Sequence, residues 1–500
     1  MSLPPLSVLC DLRPAFDGHY GIPTETRLMF SLLHDLPDVK PTGLINHPAR
    51  VLQRSFGLDR SAAELTPARR IRAYSRLAAS AGGMSSQWAE LGLMASNIPR
   101  IFWFHALAKL GLGVSLDQFD GTEFGDFLWQ SLFSKSLPSS EFERCRTAQY
   151  VALWAPWRSL HATALVPGFH RYAHVDTRGY DIFIAQTPWP GTVKAQTRLV
   201  IRYHDSVPVF LPHTVKQSRL HQFFHMSALS ENVKSACFAC VSEFSRSQLL
   251  KIFPELEKRA FVIYDCIGDE YLPSNESREA VTSIIANRID PSTEPYFGNL
   301  ANRKAFYDVH LPAGDFRYIL VVGALEPRKN YLGLLKAWER LRSLPDRPTA
   351  IVAVSSAGWN NSALESALHR WQTRGELFHL SSLPSSEMRA LYSSAEAVVC
   401  PSVSEGFDLP SVEAIRCGAA VAASDIPTHR EILGEAALYF DPYSADSMSD
   451  TIARFLGNGQ VKASMRSTIE NQALKFSKSI VSDQWHHMLE SCRAMPLAAG

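Results

Sequence analysis

Five hundred residues exceed what one hydrophobic core usually organises, so two or more domains are expected. Fifty basic against 49 acidic residues leave a formal charge of +1, which excludes a chain-wide electrostatic footprint for nucleic acid. Hydrophobic content of 46% and charged content of 20% describe an ordinary globular protein, and no run of 18 apolar residues is present to span a bilayer.

In chain order, LSVLCDLRPAF (6–16) reads as a strand and loop. GHYGIPTETRLMFSLLHDL (18–36) then reads as a glycine loop entering an amphipathic helix, with Leu28, Leu32 and Leu36 at four-residue spacing. The opening MSLPPLSVLCDL lacks a basic region before a long apolar run, so no secretory signal is expected. Residues 50–150 show no β-branched runs and are expected to be a mostly helical elaboration of the first domain. Within them, IPRIFWFHALAKLGLGV (98–114) sets Phe102, Trp103 and Phe104 beside Arg100 and Lys109. Aromatics flanked by cations suit a bilayer surface; a buried core helix is the plainer reading.

Strands resume at DIFIA (181–185), RLVIRYHD (198–205), ACFACVS (236–242) and FVIYD (261–265). The eight cysteines are scattered, with one C-x-x-C pair at 237–240 inside an apparent buried strand; a zinc site needs more ligands than that, so no metal and a reduced, cytoplasmic chain are expected. Residues 275–315 lack a sustained pattern and are expected to be the interdomain linker. A second α/β unit follows: FRYILVVGA (316–324) as a strand, a helix at 330–342, and TAIVAVS (349–355) as the next strand.

The chemistry concentrates in this second unit. AVVCP (397–401) and AAVAAS (419–424) read as buried strands enclosing SEGFDLPSVEAIRCG (404–418), in which Glu405 and Glu413 stand eight apart. Pro410 suits the first position of a helix and Gly418 the residue past its end, which puts Glu413 in the first turn, where a carboxylate is favoured and can reach ligand hydroxyls. The loop lies at the carboxyl end of a strand, where open α/β sheets bind ligands; a helix start seats phosphate, and Gly406 allows close backbone approach. Arg328 and Lys329 occupy the equivalent loop after the first strand of this unit, as a planar fork and a point charge suited to a diphosphate, or else as a solvated basic loop.

The two-acid spacing around G-F-x-L-P, together with GALEPRKN (323–330) and YLGLLKAW (331–338), resembles the retaining GT-B glycosyltransferases of the family 4 type, which include bacterial mannosyl- and rhamnosyltransferases. The resemblance is strong over 316–445, moderate over 180–275 and weak or absent over 40–175. It implies an α/β architecture of two doubly wound Rossmann-like domains facing across a cleft: 1–300 for the acceptor, with a helical insertion near 50–150, 315–475 for the nucleotide sugar, and a 476–500 helix returning to the first domain. It implies Glu405 and His204 at the reacting sugar, Glu413 on the ribose, and Arg328 and Lys329 on the diphosphate. Gly406, Phe407 and Leu409 would surround the donor, Leu383 would lie by the base, and Gly21 would approach a phosphate. Ser242 would cap the helix that follows it. Two departures stand out: Ala324 follows the strand glycine where some relatives carry Arg, and GIPTE (21–25) replaces the usual Gly-Gly-Ile-Gly-Arg.

The implied reaction moves a hexose or deoxyhexose of mannose or rhamnose type, GDP-linked by analogy, to a glycan or lipid-linked glycan acceptor, as in lipopolysaccharide O-chain or other surface polysaccharide synthesis. Configuration is retained by attack from the leaving-group face. No Asp-x-Asp motif is present, so no metal or further cofactor is expected, nor a nucleic-acid partner. The expected place is the cytoplasm, at the inner face of the plasma membrane, with peripheral membrane contact. Three rivals remain. A dinucleotide oxidoreductase has only GLGVSL (111–116), which lacks the third glycine. A sugar-nucleotide epimerase could share the fold. A non-catalytic sugar-nucleotide-binding subunit would not need the four charged residues Glu405, Glu413, Arg328 and Lys329.

Overall fold

The computed structural model describes residues 4–19, 21–52, 66–82, 102–104, 106, 110, 113–165, 172–312, 316–344, 350–355, 362–456 and 459–496. The first domain is built from β1 (Leu6–Asp11), β2 (Val39–Ile45), β4 (Asp117–Asp120), β5 (Gln149–Ala152), β7 (Ile182–Ala185), β8 (Arg198–Tyr203), β9 (Cys237–Cys240) and β10 (Ala260–Val262). A separate short pair joins β3 (Gly113–Val114) to β6 (His174–Val175). The eight-stranded sheet runs β10-β9-β8-β7-β1-β2-β5-β4, parallel throughout except for β4 against β5. Strand order reverses at β1, so the loops after β1 and β7 open a crevice at the sheet's carboxyl edge. The first of these loops leads into α1 (Ile22–Leu33). The helices that matter below are α2 (Val207–Phe210), α3 (Ser218–Asn232) and α4 (Glu243–Ile252).

The described residues of 50–150 are mostly helical, with helices at Pro67–Gly82, 122–133 and Phe142–Thr147, and the stretch also supplies β4 and the start of β5, which extend the main sheet. In β4, buried Asp117 and Phe119 alternate with exposed Gln118 and Asp120, a period-2 signal only four residues long and carried by one apolar side chain. Phe104 is buried and packs on Trp154 at 5.1 Å, whereas Phe102 and Trp103 are 60% and 57% exposed; Arg100 and Lys109 lie outside the described residues.

The expected linker at 275–315 is also corrected. It contains α5 (Arg278–Arg288) and α6 (Leu300–His310), capped by Ser277 and Asn299, whose side chains accept from Ala280 N and Asn302 N. Val281, Ile285 and Ile289 are buried in the core of the second domain, and Asp290 N donates to His379 O. The chain therefore passes between domains earlier, between β10 and α5.

The second sheet comprises β11 (Tyr318–Val322), β12 (Ala350–Val354), β13 (Leu377–Leu380), β14 (Ala397–Cys400), β15 (Val421–Ser424) and β16 (Ala437–Phe440), in the order β13-β12-β11-β14-β15-β16 and parallel throughout. This is the 3-2-1-4-5-6 order of nucleotide-binding folds, with its switch point between β11 and β14. α7 (Tyr331–Leu341) follows β11 and buries Tyr331, Leu334, Leu335, Trp338 and Leu341, one helical stripe. α8 (Leu409–Arg416) follows β14 and α9 (Pro427–Leu433) follows β15. The chain then returns: α10 (Lys478–Ala494) buries Val481, Trp485, Met488, Leu489 and Cys492 in the core of the first domain.

Arg202 of β8 fastens this return. Its fully buried guanidinium pairs with Glu25 of α1 at 2.9 Å and Asp265 at 2.5 Å, donates to Ile263 O, and lies 5.4 Å from the Trp485 ring. Removing the cation leaves two buried carboxylates uncompensated. Arg202→Met is expected to destabilise the first unfolding transition by about 3–5 kcal/mol. The triple variant that also carries Glu25→Gln and Asp265→Asn should recover most of this loss, read by urea titration followed through tryptophan fluorescence.

Candidate active site

The switch point brings the loop after β11 against the loop after β14, with Val403 N donating to Arg328 O at 2.8 Å. Gly323 has φ +149°, and the stem of Lys329 passes 3.3–3.5 Å from where a Cβ on that glycine would lie. Asn330 turns the chain at φ +55° and anchors it by donating to Pro401 O and Pro442 O. The result aims Arg328 and Lys329 at one carboxylate. Glu405 Oε2 meets Arg328 Nη1 at 2.6 Å, and Glu405 Oε1 meets Lys329 Nζ at 2.5 Å. Arg328 also pairs with Glu326 at 2.9 Å, and Lys329 with Asp408 at 3.4 Å. Asp408 in turn faces His429 Nε2 at 3.3 Å.

Glu405 and Lys329 are buried and hold each other ionised. Burial alone would raise the Glu405 pKa, but Arg328 and Lys329 hold it below its ordinary value. Burial would likewise lower Lys329, but Glu405 and Asp408 raise it. Within the protein, Glu405, Glu326 and Asp408 already balance the two cations. Among the described residues no three His, Cys, Asp or Glu side chains are placed to hold a metal ion.

Gly406 is where the domains touch. A Cβ there would lie 1.9 Å from His204 O, so no other residue fits without moving one domain. Ser242 Oγ donates to Gly406 O at 2.6 Å, and Ser245 Oγ donates to His204 O at 2.9 Å. Ser242 also caps α4, accepting from Ser245 N. Glu431 of α9 accepts from the N–H groups of Glu243 and Phe244 at 2.7 and 3.0 Å, so a carboxylate of one domain caps a helix of the other. Thr428 Oγ1 donates to Glu405 O at 2.6 Å. His204 meets the second domain through its carbonyl, while its ring Nε2 lies 3.0 Å from Gln186 O. Burial, aided by Arg202, pushes the imidazole pKa down to about 3, so the ring is neutral and Nε2–H donates to that carbonyl.

Glu413 occupies a different environment. α8 begins at Leu409, with Pro410 second, so Glu413 sits in the second turn and the first turn holds no acid, which corrects the expectation from the sequence. Tyr392 OH donates to Glu413 Oε2 at 2.8 Å, and Tyr271 also hydrogen-bonds to it. Burial raises the Glu413 pKa to about 7 against the pull of these two hydroxyls. Leu383 is buried beside Tyr271 at a narrow gap shared with His19, Thr24 and Lys135 of the first domain. Phe407 and Leu409 have their side chains in the core, Phe407 against Phe476 and Tyr264, so they can meet a ligand only through backbone.

Gly21 lies across the cleft at φ +65°, with no atom within 4 Å of an added Cβ; the backbone angle, not crowding, requires glycine there. Sequence reasoning missed what shapes this loop. Arg27 donates to the carbonyls of Ala15, Asp17, Gly18 and Leu132, and Lys135 Nζ donates to those of Phe16 and Asp17. The one sequence cue was a charged residue on the buried face of α1. The tyrosines on Glu413 and the Glu431 cap were missed as well, and nothing in local sequence announces them.

The family described as "Glycosyl transferases group 1" matches residues 302–475. These residues form a glycosyl transferases group 1 domain. The chain is 28% identical over 260 residues to O-antigen chain mannosyltransferase B of Escherichia coli, covering 52% of this chain and 61% of that one. It is 24% identical over 309 residues to the serotype-specific mannosyltransferase WbdA of Escherichia coli, covering 61% of this chain and 34% of that one. The chain thus spans less than two thirds of the length of these curated relatives. Among solved structures, the sucrose-phosphate synthase of Thermosynechococcus elongatus aligns at a TM-score of 0.49 and 16% identity, over 69% of this chain and 83% of that one. Anabaena Alr3699/HepE in complex with UDP and glucose aligns at 0.47 and 18%, over 62% and 78%.

The environment of Glu413 sets a pH dependence for the group 1 domain. Its pKa is about 7 folded against an ordinary 4.5. Across that window the folded state binds more protons than the unfolded, so this group's contribution to stability falls as pH rises, by about 3 kcal/mol when complete. Glu413→Gln keeps an acceptor for Tyr392 and removes the titration. The variant's melting temperature is expected to gain on the parent's between pH 5 and pH 8; a gap that does not change with pH would show that Glu413 does not titrate there.

Proposed function

We propose that the chain is a retaining glycosyltransferase that moves a hexose or deoxyhexose, of mannose or rhamnose type, from a GDP-linked sugar to a glycan or lipid-linked glycan acceptor in O-chain or related surface polysaccharide synthesis. The observation that carries this reading is the convergence of Arg328, Lys329 and Glu405 at the switch point of a group 1 domain. The O-antigen mannosyltransferases among its relatives support the sugar and the pathway type.

In this reading the sugar's anomeric carbon loses its bond to the diphosphate as it gains one to the acceptor hydroxyl, whose proton passes to the departing phosphate. Arg328 and Lys329 stabilise the negative charge that grows on the leaving group. Glu405, released in part from these cations as the diphosphate takes them, faces the positive character of the sugar ring. Glu413 accepts from the ribose. No cofactor beyond the nucleotide sugar is proposed. Among the described residues no helix is long and apolar enough to cross a membrane. The exposed Phe102 and Trp103 support peripheral contact with the bilayer that would present a lipid-linked acceptor.

A thermal-shift panel of GDP-, UDP- and dTDP-sugars tests the donor class, because a ligand at 100 times its dissociation constant adds about 2.7 kcal/mol of stability. A panel without any shift would remove the reading, and product analysis with and without acceptor separates transfer from epimerisation. Lys329→Ala is expected to weaken binding of the nucleoside diphosphate roughly 10- to 150-fold while leaving the nucleoside unaffected. Equal losses for both ligands would place Lys329 away from the phosphates. Glu405→Gln is expected to bind the nucleoside diphosphate at least as tightly as the parent, because a competitor for Lys329 loses its charge, while turnover falls. Calorimetry alongside steady-state kinetics reads both; weakened binding with unchanged turnover would refute the assignment.

A further inference from the structure

A cavity of about 350 Å³ lies between the domains, directly beside Glu405. Its second-domain wall is short: Val403, Ser404 and Glu405. The first domain supplies the rest from the end of β8, from α2 and from α4. Its polar contributors include Asp205, Gln248 and Lys251, and its apolar ones include Phe210 and Phe244. The volume falls at the small end of ligand pockets, fit for one compact ring rather than a chain. Phe210 and Phe244 offer aromatic surface for the apolar face of such a ring, and Gln248 and Lys251 offer donors for its hydroxyls. Among the described residues, Lys251 forms no ion pair.

Asp205 faces Glu405 from the opposite domain. Its Oδ1 accepts from Val207 N at 2.9 Å, which fixes the carboxylate at the start of α2. Its Oδ2 has no hydrogen bond among the described residues. The ideal Cβ position on Gly406 lies 3.4 Å from Asp205 Cβ, so the carboxylate stands at the domain contact itself. Asp205 is also near enough to Arg328 to help hold that guanidinium charged. One carboxylate from each domain therefore borders the same small cavity, and of the two only Glu405 forms ion pairs among the described residues.

We infer that this cavity is the acceptor subsite, that it takes a single hexopyranose unit stacked on Phe210 and Phe244, and that Asp205 Oδ2 accepts a hydrogen bond from the attacking hydroxyl. The inference rests on the glycosyltransferase reading above. The donor groups lie elsewhere: the diphosphate cations are on the second domain, and Glu413 and Leu383 gather around Tyr271. The walls that remain belong to the first domain. Asp205 orients the hydroxyl without keeping its proton, which leaves with the nucleoside diphosphate.

Two variants test this in the full chain. Asp205→Asn preserves the bond from Val207 N–H and removes the charged acceptor. Gln248→Trp fills the cavity from α4. GDP binding is measured by calorimetry, and transfer from GDP-mannose to methyl α-D-mannopyranoside is followed over a range of hexoside concentrations. GDP binding within twofold of the parent, with KM for the hexoside raised at least tenfold in both variants, is the expected result. Unchanged KM in both overturns the inference, as does loss of GDP binding in both, which would assign the cavity to the donor. A parent that binds GDP and hydrolyses GDP-mannose but never glycosylates the hexoside also overturns it. A parent that binds no nucleoside diphosphate refutes the glycosyltransferase reading itself, a separate outcome.

Discussion

The contact between Gly406 and His204 sets the geometry of everything around it. Two backbones from different domains approach so closely that a single methyl group would not fit, and two serine hydroxyls fill the hydrogen-bonding needs of both carbonyls. Glu405 is the residue immediately before Gly406. Its own carbonyl is held by Thr428, and the neighbouring Glu431 caps a helix of the facing domain. The position of the central carboxylate is therefore a joint property of two domains. The second domain supplies the groups bonded to Glu405, and the first domain fixes the backbone beside it at Gly406.

The two glutamates of one short motif end up with opposite electrostatics. Glu405 sits between a guanidinium and an ammonium and is held ionised, whereas Glu413, eight residues on, is packed among tyrosine hydroxyls that cannot offset burial. Environments that separate the proton affinities of paired acids also separate their work. A carboxylate locked in its charged form suits a centre where positive charge develops. One that binds hydroxyl groups needs no such commitment. The eight-residue spacing thus spans a boundary between an ionic pocket and a neutral one.

Legibility in the sequence followed the range of the interactions involved. β11, β14, α7 and α8 were readable because their apolar runs and caps are local. So was the shared sheet edge of Arg328, Lys329 and Glu405, because both loops follow buried strands of one doubly wound sheet, whereas their direct ion pairing was not. β4 and β5 were not readable: each has four residues, and their register depends on β2, far away in sequence. Ser277 and Asn299 mark the starts of α5 and α6, but Leu300–His310 buries no residue fully and so shows no core-facing stripe in sequence. The turn of α8 that carries Glu413 was misplaced by one, since Pro410 fits the second helical position as well as the first. Arg27 and the Glu431 cap join segments more than 100 residues apart, and no local pattern encodes such contacts.

The return of α10 has a consequence for the order in which the chain can fold during synthesis. The second domain, from α5 onward, is contiguous and holds most of its core within its own stretch of sequence, joined only by residues synthesised earlier, Val241, Ile267 and Tyr271. The first domain is complete to Asp265 but lacks Trp485, Met488 and Leu489, which close its core and cover Arg202. Some 213 residues separate Asp265 from Lys478. At ~5–20 residues per second, a nascent chain spends roughly 10–40 s with that apolar face uncovered. The half that emerges first is the half that finishes last, and its open flank is a natural binding place for a chaperone until α10 arrives.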